Sequence, residues 1–152
     1  MNTPTHNSNF NEPNLLNLVQ ENGLYLARIA PELQTEAICL AAIQDEPLAL
    51  RFVNNQTPAI CLAAVQANPW ALDFVREQTE EICLAAVKRN PIMLMYVKEQ
   101  TEGICLSAVE QLGSMLELVR LQTLTICKAA IKADKAAKRF IRIKVPLFFS
   151  WS

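Results

Sequence analysis

Apolar and polar positions alternate in this chain with a long period of 22 residues. Gln-Thr opens five successive blocks, at Gln34, Gln56, Gln78, Gln100 and Gln122, with no insertion between them, and the third reads QTEEICLAAVKRNPIMLMYVKE. Position 5 is Ile and position 6 is Cys in every block, position 9 is Ala, and positions 10 and 20 are Val or Ile. Each block holds two apolar segments of different kind. The first, as in Ile60 to Val65, is apolar around its circumference, which predicts a short helix covered on most sides. The second carries a single stripe, Leu72, Phe74 and Val75 or the equivalent Leu94, Tyr96 and Val97, with positions 18 and 21 on the other side. That is the pattern of an amphipathic helix with one face in the core.

Punctuation agrees with this reading. Thr35, Thr57, Thr79, Thr101 and Thr123 stand where a hydroxyl can accept from the unpaired amides of a first helical turn. Pro58 follows at the first helical position, where a missing N–H costs nothing, and Glu36, Glu80 and Glu102 suit the positive end of the helix dipole. The break between the two segments falls at Glu46-Pro47, Asn68-Pro69, Asn90-Pro91 and Gly113-Ser114. A residue before Pro is disfavoured from the helical region, and Asn caps the next element. One hairpin of this size cannot bury its own apolar face, so the expected fold is an all-α solenoid of stacked helix hairpins.

The ends diverge as solenoid ends do. Residues 12–33 read as a degenerate unit with its break at Asn22-Gly23, followed by regular units at 34–55, 56–77, 78–99, 100–121 and 122–143. The repeat domain is therefore expected over 12–144, between a polar, disordered tail at 1–11 and an aromatic tail at 145–152. Lys138 takes the place held by Leu50, Leu72, Leu94 and Leu116, which marks the fifth regular unit as a cap.

A Cys-Leu-Ala-Ala-Val helix, an Asn-Pro or Asn-Gly break, an Ala-Leu-x-Phe/Tyr-Val helix and a following Thr resemble the helical repeats known as domain of unknown function 4116. The junction Ala30-Pro31-Glu32-Leu33-Gln34-Thr35 is similar to the linker of that family. The likeness covers about residues 13 to 143. It implies a helical-repeat fold and a non-enzymatic style of function, in a family that includes candidate host-interaction proteins.

Composition adds exclusions more than assignments. The chain of 152 residues is 51% apolar and 19% charged, enough to bury a core, and its formal charge of −1 gives no bulk reason to expect nucleic acid or an anionic membrane. The charge is unevenly placed, with seven basic and fourteen acidic groups up to residue 121 and seven basic groups against Asp134 alone thereafter. No apolar run approaches the roughly 20 residues that span a bilayer, and the first residues lack the features of a secretory signal, so no membrane partner and a cytoplasmic location are expected.

No reaction is legible. The one histidine is His6 in the polar tail, no Gly-rich phosphate loop is present among three glycines, and Glu80/Glu81 are explained by the helix dipole, so an enzyme is not expected. Cys39, Cys61, Cys83, Cys105 and Cys127 recur at the repeat spacing, roughly 8–10 Å apart if the units stack, which is too far for disulfides and has no histidine to complete a zinc site. They read as small buried hydrophobes, and no cofactor or metal is expected.

The candidate binding residues are Arg76, Lys98, Arg120 and Arg142, a ladder at position 21 that Asn54 begins, together with Arg139 at position 18 and Phe148, Phe149 and Trp151 in the tail. A protein partner is the leading expectation, an inhibitor or effector engaging a host complex being one form of it. Two alternatives stay open: a nucleic-acid-binding repeat using the ladder, and a homo-oligomer joined through the tail. Trp70 and Tyr96, at stripe positions, are expected to be core or partly buried.

Overall fold

The computed structural model describes residues 11–144, and every regular secondary-structure element among them is a helix. They divide between Arg76 and Glu77 into two compact units. The first unit contains three α-helices, α1 (Glu12–Glu21), α2 (Glu36–Asp45) and α3 (Pro58–Ala67). The second contains α4 (Glu80–Arg89), α5 (Glu102–Gln111) and α6 (Leu124–Ala133). After each α-helix comes a six-residue 3₁₀ helix: Gly23–Arg28, Pro47–Phe52 and Pro69–Phe74 in the first unit, Pro91–Tyr96, Gly113–Leu118 and Lys135–Phe140 in the second. A further 3₁₀ turn at Pro31–Leu33 fills the longer exit of the first hairpin. Within a unit, each α-helix packs on the next and each six-residue 3₁₀ helix packs on the next.

The threonines cap as their spacing predicts. Each accepts at Oγ1 from the amide three residues on, at 3.3–3.4 Å, from Thr35–Ile38 to Thr123–Ile126. Four hydroxyls also donate to a glutamate one helix earlier: Thr35 to Glu12, Thr57 to Glu36, Thr101 to Glu80 and Thr123 to Glu102, at 2.6–3.1 Å. The first-turn glutamates therefore tie neighbouring helix starts together as well as meeting the dipole.

The second element of each hairpin differs from the amphipathic α-helix expected. It is too short to repeat the 3.6-residue period usefully, and its ends are claimed by other groups. Asn22, Glu46, Asn68, Asn90 and Asp134 accept at the side chain from the amide two residues on, at 2.8–3.2 Å, which opens a tight turn. At the other end the carbonyls that an α-helix would hand to later amides are taken by glutamine side chains, as described below. Bonding from residue i to i+3 is what remains.

The core lies between α-helix and 3₁₀ helix of each hairpin and between successive hairpins of the same unit. Ile38, Cys39, Ala42 and Ile43 on α2, and Ile104, Cys105, Ala108 and Val109 on α5, are buried, as are Ala49, Leu50 and Val53 or Met115, Leu116 and Val119 opposite them. Position 9, always Ala, and position 16 face the preceding hairpin of the unit. Their equivalents in the first hairpin, Leu18 and Tyr25, are exposed, whereas Leu26 beside Tyr25 is buried. Gly23 and Gly113 allow the closest backbone approach: a Cβ on Gly113 would lie 2.5 Å from the Ala130 carbonyl oxygen, and one on Gly23 would lie 2.2 Å from that of Ala42.

Candidate interaction surface

The Gln that begins each block organises the surface on which the candidate residues stand. In the first unit, Gln56 Nε2 donates to the carbonyls of Leu50 and Phe74, at 3.1 and 3.0 Å, while its Oε1 accepts from the Arg76 amide at 3.0 Å. Gln34 reaches Ile29, Phe52 and the Asn54 amide in the same manner. In the second unit Gln100 joins Leu94, Leu118 and Arg120, and Gln122 joins Leu116, Phe140 and Arg142. One amide group thus satisfies three main-chain groups, two carbonyls of successive hairpins and an amide just past the second 3₁₀ helix. The cysteine five residues on donates Sγ–H to the same Oε1, at 3.7–3.9 Å, from Cys61, Cys83, Cys105 and Cys127. The invariant Gln and the invariant Cys of these four blocks are thus partners.

All five cysteines are buried and none is in a disulfide. Burial raises the thiol pKa of Cys39, Cys105 and Cys127 above its ordinary value, with Glu36 adding to the rise at Cys39 and Arg120 and Arg142 opposing it at the other two. Cys83 is pushed up to about 11, by burial first and by Glu80 second. These thiols should therefore stay protonated at pH 8 and react with a disulfide reagent only when the chain opens. Native labelling slower than labelling in denaturant by at least about 100-fold is the expected result, and fast labelling of the folded chain would refute it. Unfolded thiols ionise first as pH rises, so the Cys83 contribution to stability is present below pH 9 and is lost between there and about 11.

The position-21 ladder is exposed throughout, but its guanidinium groups are turned back onto the fold. Arg76 donates from Nη1 to the Asn54 carbonyl at 2.6 Å and from Nη2 to that of Val53 at 2.9 Å. Arg120 does the same to Lys98 and Val97, both at 2.6 Å. Arg142 bonds the carbonyls of Glu117, at 3.2 Å, and Val119. Lys98 contributes its amide to Gln78 Oε1 at 2.9 Å. Each arginine is a staple across the carboxyl ends of two 3₁₀ helices. Replacing Arg120 by Ala should lower the stability of the chain by about 1–2 kcal/mol in a urea titration. Lys at that site should recover only part, since one ammonium does not match two carbonyls in a fork, and the loss should persist in high salt because the acceptors are neutral. An unchanged urea midpoint would show the staple to be idle.

At position 18, Arg139 is exposed with its guanidinium 4.6 Å from the centroid of the Phe140 ring, and Arg51 lies 4.6 Å from Phe52 and 6.0 Å from Phe74. Phe148, Phe149 and Trp151, with the whole aromatic tail at 145–152 and residues 1–10, lie outside the described residues. Tyr96 is half-buried, as expected, but Trp70 is 45% exposed. The correction has a positional cause. Trp70 is the second residue of its 3₁₀ helix, one place before the buried Ala71-Leu72 pair, and so falls outside the apolar stripe.

Trp70 belongs to a row that the sequence pattern did not single out. Leu24, Leu48 and Trp70 are the second residues of the three six-residue 3₁₀ helices of the first unit, each packed on the next of these, and Leu24 and Trp70 are exposed while Leu48 is half-buried. In the second unit Met95, Leu112, Leu121 and Leu124 are exposed, Leu121 by 78%. The signal available in the sequence was the run Leu24, Leu48, Trp70, Ile92 at one repeat position, apolar yet outside the stripe. Among the described residues no helix is long and apolar enough to cross a membrane, and no group of acidic, Cys or His side chains is arranged to hold a metal ion.

No protein-family model, no curated protein and no solved structure matches the chain.

Proposed function

We propose that the chain is a non-enzymatic module that binds a partner protein, built as a solenoid of 22-residue helix hairpins of the kind the resemblance to domain of unknown function 4116 implies. The observation that carries this reading is the row Leu24, Leu48 and Trp70, large apolar side chains at equivalent places on packed segments. Contiguous exposed apolar surface on a regular scaffold marks a contact site, and Trp is the side chain most enriched at the energetic centre of such contacts. An inhibitor or effector acting on a larger complex fits the size of the chain, and the cytoplasm is the compartment its reduced cysteines suit. The basic C-terminal end, including Arg139 and the aromatic tail, supplies a second contact region.

The test is capture by the immobilised full-length chain. It should retain a defined protein from cell extract, and Leu48→Ser combined with Trp70→Ser should abolish retention at an unchanged melting temperature. Retention that ignores both substitutions removes the row from the function, and failure to retain any protein removes the reading.

The nucleic-acid alternative draws on the position-21 cations. Its support is reduced by the engagement of Arg76, Arg120 and Arg142 with main-chain carbonyls, which leaves those guanidinium groups fewer donors for phosphate.

A further inference from the structure

We infer that the row Leu24, Leu48 and Trp70 receives a proline-rich segment of the partner in the polyproline II conformation, with an apolar residue at every third position and an acidic residue beside the middle one. The inference rests on the protein-binding reading and gives that site its ligand chemistry.

Main-chain groups at both ends of these 3₁₀ helices are already engaged. The amides of Leu24, Leu48 and Trp70 each donate to the side chain two residues before, Asn22, Glu46 and Asn68. At the far ends, the carbonyls of Phe52 and Phe74 accept from Gln34 and Gln56. A ligand that binds by adding a strand needs an open row of amides and carbonyls, and here that row is filled. Recognition therefore runs through side chains. That suits a ligand whose own backbone is satisfied either by an α-helix or by water.

Spacing separates the two. The three 3₁₀ helices pack each on the next, and packed helices lie roughly 8–10 Å apart, which sets the interval along the row. An α-helix laid along it would bring an apolar side chain down every turn, about 5.4 Å, so every second one would fall between the anchors. A polyproline II helix advances about 9.3 Å in its three-residue turn and sets one side chain over each anchor. Its backbone is solvated and it arrives already ordered, and aromatic side chains such as Trp70, 45% exposed, are what proline-rich segments dock on.

Charge adds the acid. Three residues on along each 3₁₀ helix, where side chains eclipse, stand Ala27, Arg51 and Asp73, all exposed. Arg51 is placed by two rings, its guanidinium 4.6 Å from the centroid of Phe52 and 6.0 Å from that of Phe74. A guanidinium so held presents a planar fork of donors that matches a carboxylate. Asp73, one hairpin further along, favours a basic residue three places after that acid. The pair gives the bound segment a direction.

Fluorescence anisotropy of the full-length chain with the labelled peptide Pro-Pro-Leu-Pro-Glu-Leu-Pro-Lys-Leu-Pro-Pro tests this. Saturable binding with a Kd on the order of 100 μM is expected at low salt. Trp70→Ser should weaken it at least about tenfold, and the control Leu121→Ser, at an exposed apolar residue of the other unit, less than about twofold. Arg51→Glu should weaken it about fivefold, and a peptide with lysine in place of glutamate should restore the loss, as a misfolded variant would not allow. No saturation by about 1 mM would overturn the inference. So would equal binding of a peptide of the same composition with its leucines two apart, tighter binding of a helical alanine-rich peptide carrying the same leucines and charges, or an Arg51→Glu loss that the swapped charge leaves unrestored. If Trp70→Ser melts early, Leu24→Ser is read in the same assay and must weaken binding. Should the peptide fail while Leu48→Ser with Trp70→Ser still releases a protein captured from extract, the protein-binding reading stands and only the proline-rich segment is removed. A chain that captures nothing removes both.

Discussion

Replacing Gln100 by Leu should destabilise the chain by about 3–5 kcal/mol, more than any surface substitution in the same unit. The side chains are close in volume, so packing is nearly conserved, but three main-chain groups lose a hydrogen bond together, of which the Leu94 carbonyl keeps another, from the Val97 amide at 3.3 Å. The Leu94 and Leu118 carbonyls lose donors at 3.1 Å and the Arg120 amide loses an acceptor at 2.9 Å. A main-chain group left with no other partner carries a desolvation penalty of about 1–3 kcal/mol when water cannot reach it. Glu at the same site should fare little better, because it keeps the acceptor for Arg120 and turns its second oxygen toward two carbonyl oxygens. Its carboxyl should therefore resist ionisation, and the variant should gain stability as pH falls. Urea titrations of the two variants at neutral and acidic pH measure both effects. A loss of under about 1 kcal/mol for Gln100→Leu would mean that water replaces the amide.

Gly113→Ala is the second large effect, a loss of about 2–3 kcal/mol from a single added methyl group. Its Cβ would stand 2.5 Å from the Ala130 carbonyl oxygen and 3.1 Å from the Asp134 amide nitrogen, and main-chain atoms of a packed helix do not yield as a side-chain tip does. The same substitution at Gly103 should go the other way. There, in the first turn of α5, a Cβ meets side-chain atoms alone, the Glu80 carboxylate at 3.3 Å and the Thr101 hydroxyl at 3.9 Å, and Ala is the better helix former by up to about 1 kcal/mol. Thermal melts of the two variants should therefore move in opposite directions. A Gly113→Ala protein that melts with the parent would mean that α6 can shift away from the 3₁₀ helix at Gly113–Leu118.

The helical class was legible in the pattern of apolar positions, and so were the threonine caps, because both depend on local spacing. What escaped depends on atoms that a residue type does not specify. Gln100 reads as part of a helix start signal, yet its amide lies against carbonyls six residues before it and eighteen after it. Cys105 reads as a small hydrophobe, and only the packed structure reveals a hydrogen bond to that glutamine. Arg76 and Arg120 read as exposed cations, and they are exposed, but spacing alone does not tell whether a guanidinium reaches outward or folds back onto a carbonyl. Pro69-Trp70-Ala71-Leu72 fits an α-helical period, whereas glutamine capture of the flanking carbonyls shortens the turn and leaves Trp70 outside the stripe.

The ladders of glutamine and arginine share a property with consequences for how such a chain changes over generations. Their acceptors are main-chain carbonyls, which every residue supplies, so the bonds place no demand on the identity of the side chain at the contacted site. Asn54 and Lys98 both offer a carbonyl to the arginine of the next block, although one is neutral and the other cationic. Exposed positions are therefore free to drift without disturbing the staples that hold them. By the same logic, a coding segment of one block lost or gained in frame by unequal exchange would rejoin a glutamine to carbonyls indistinguishable from those it left. The number of blocks and the character of the surface can evolve independently of the bonds that make the chain fold.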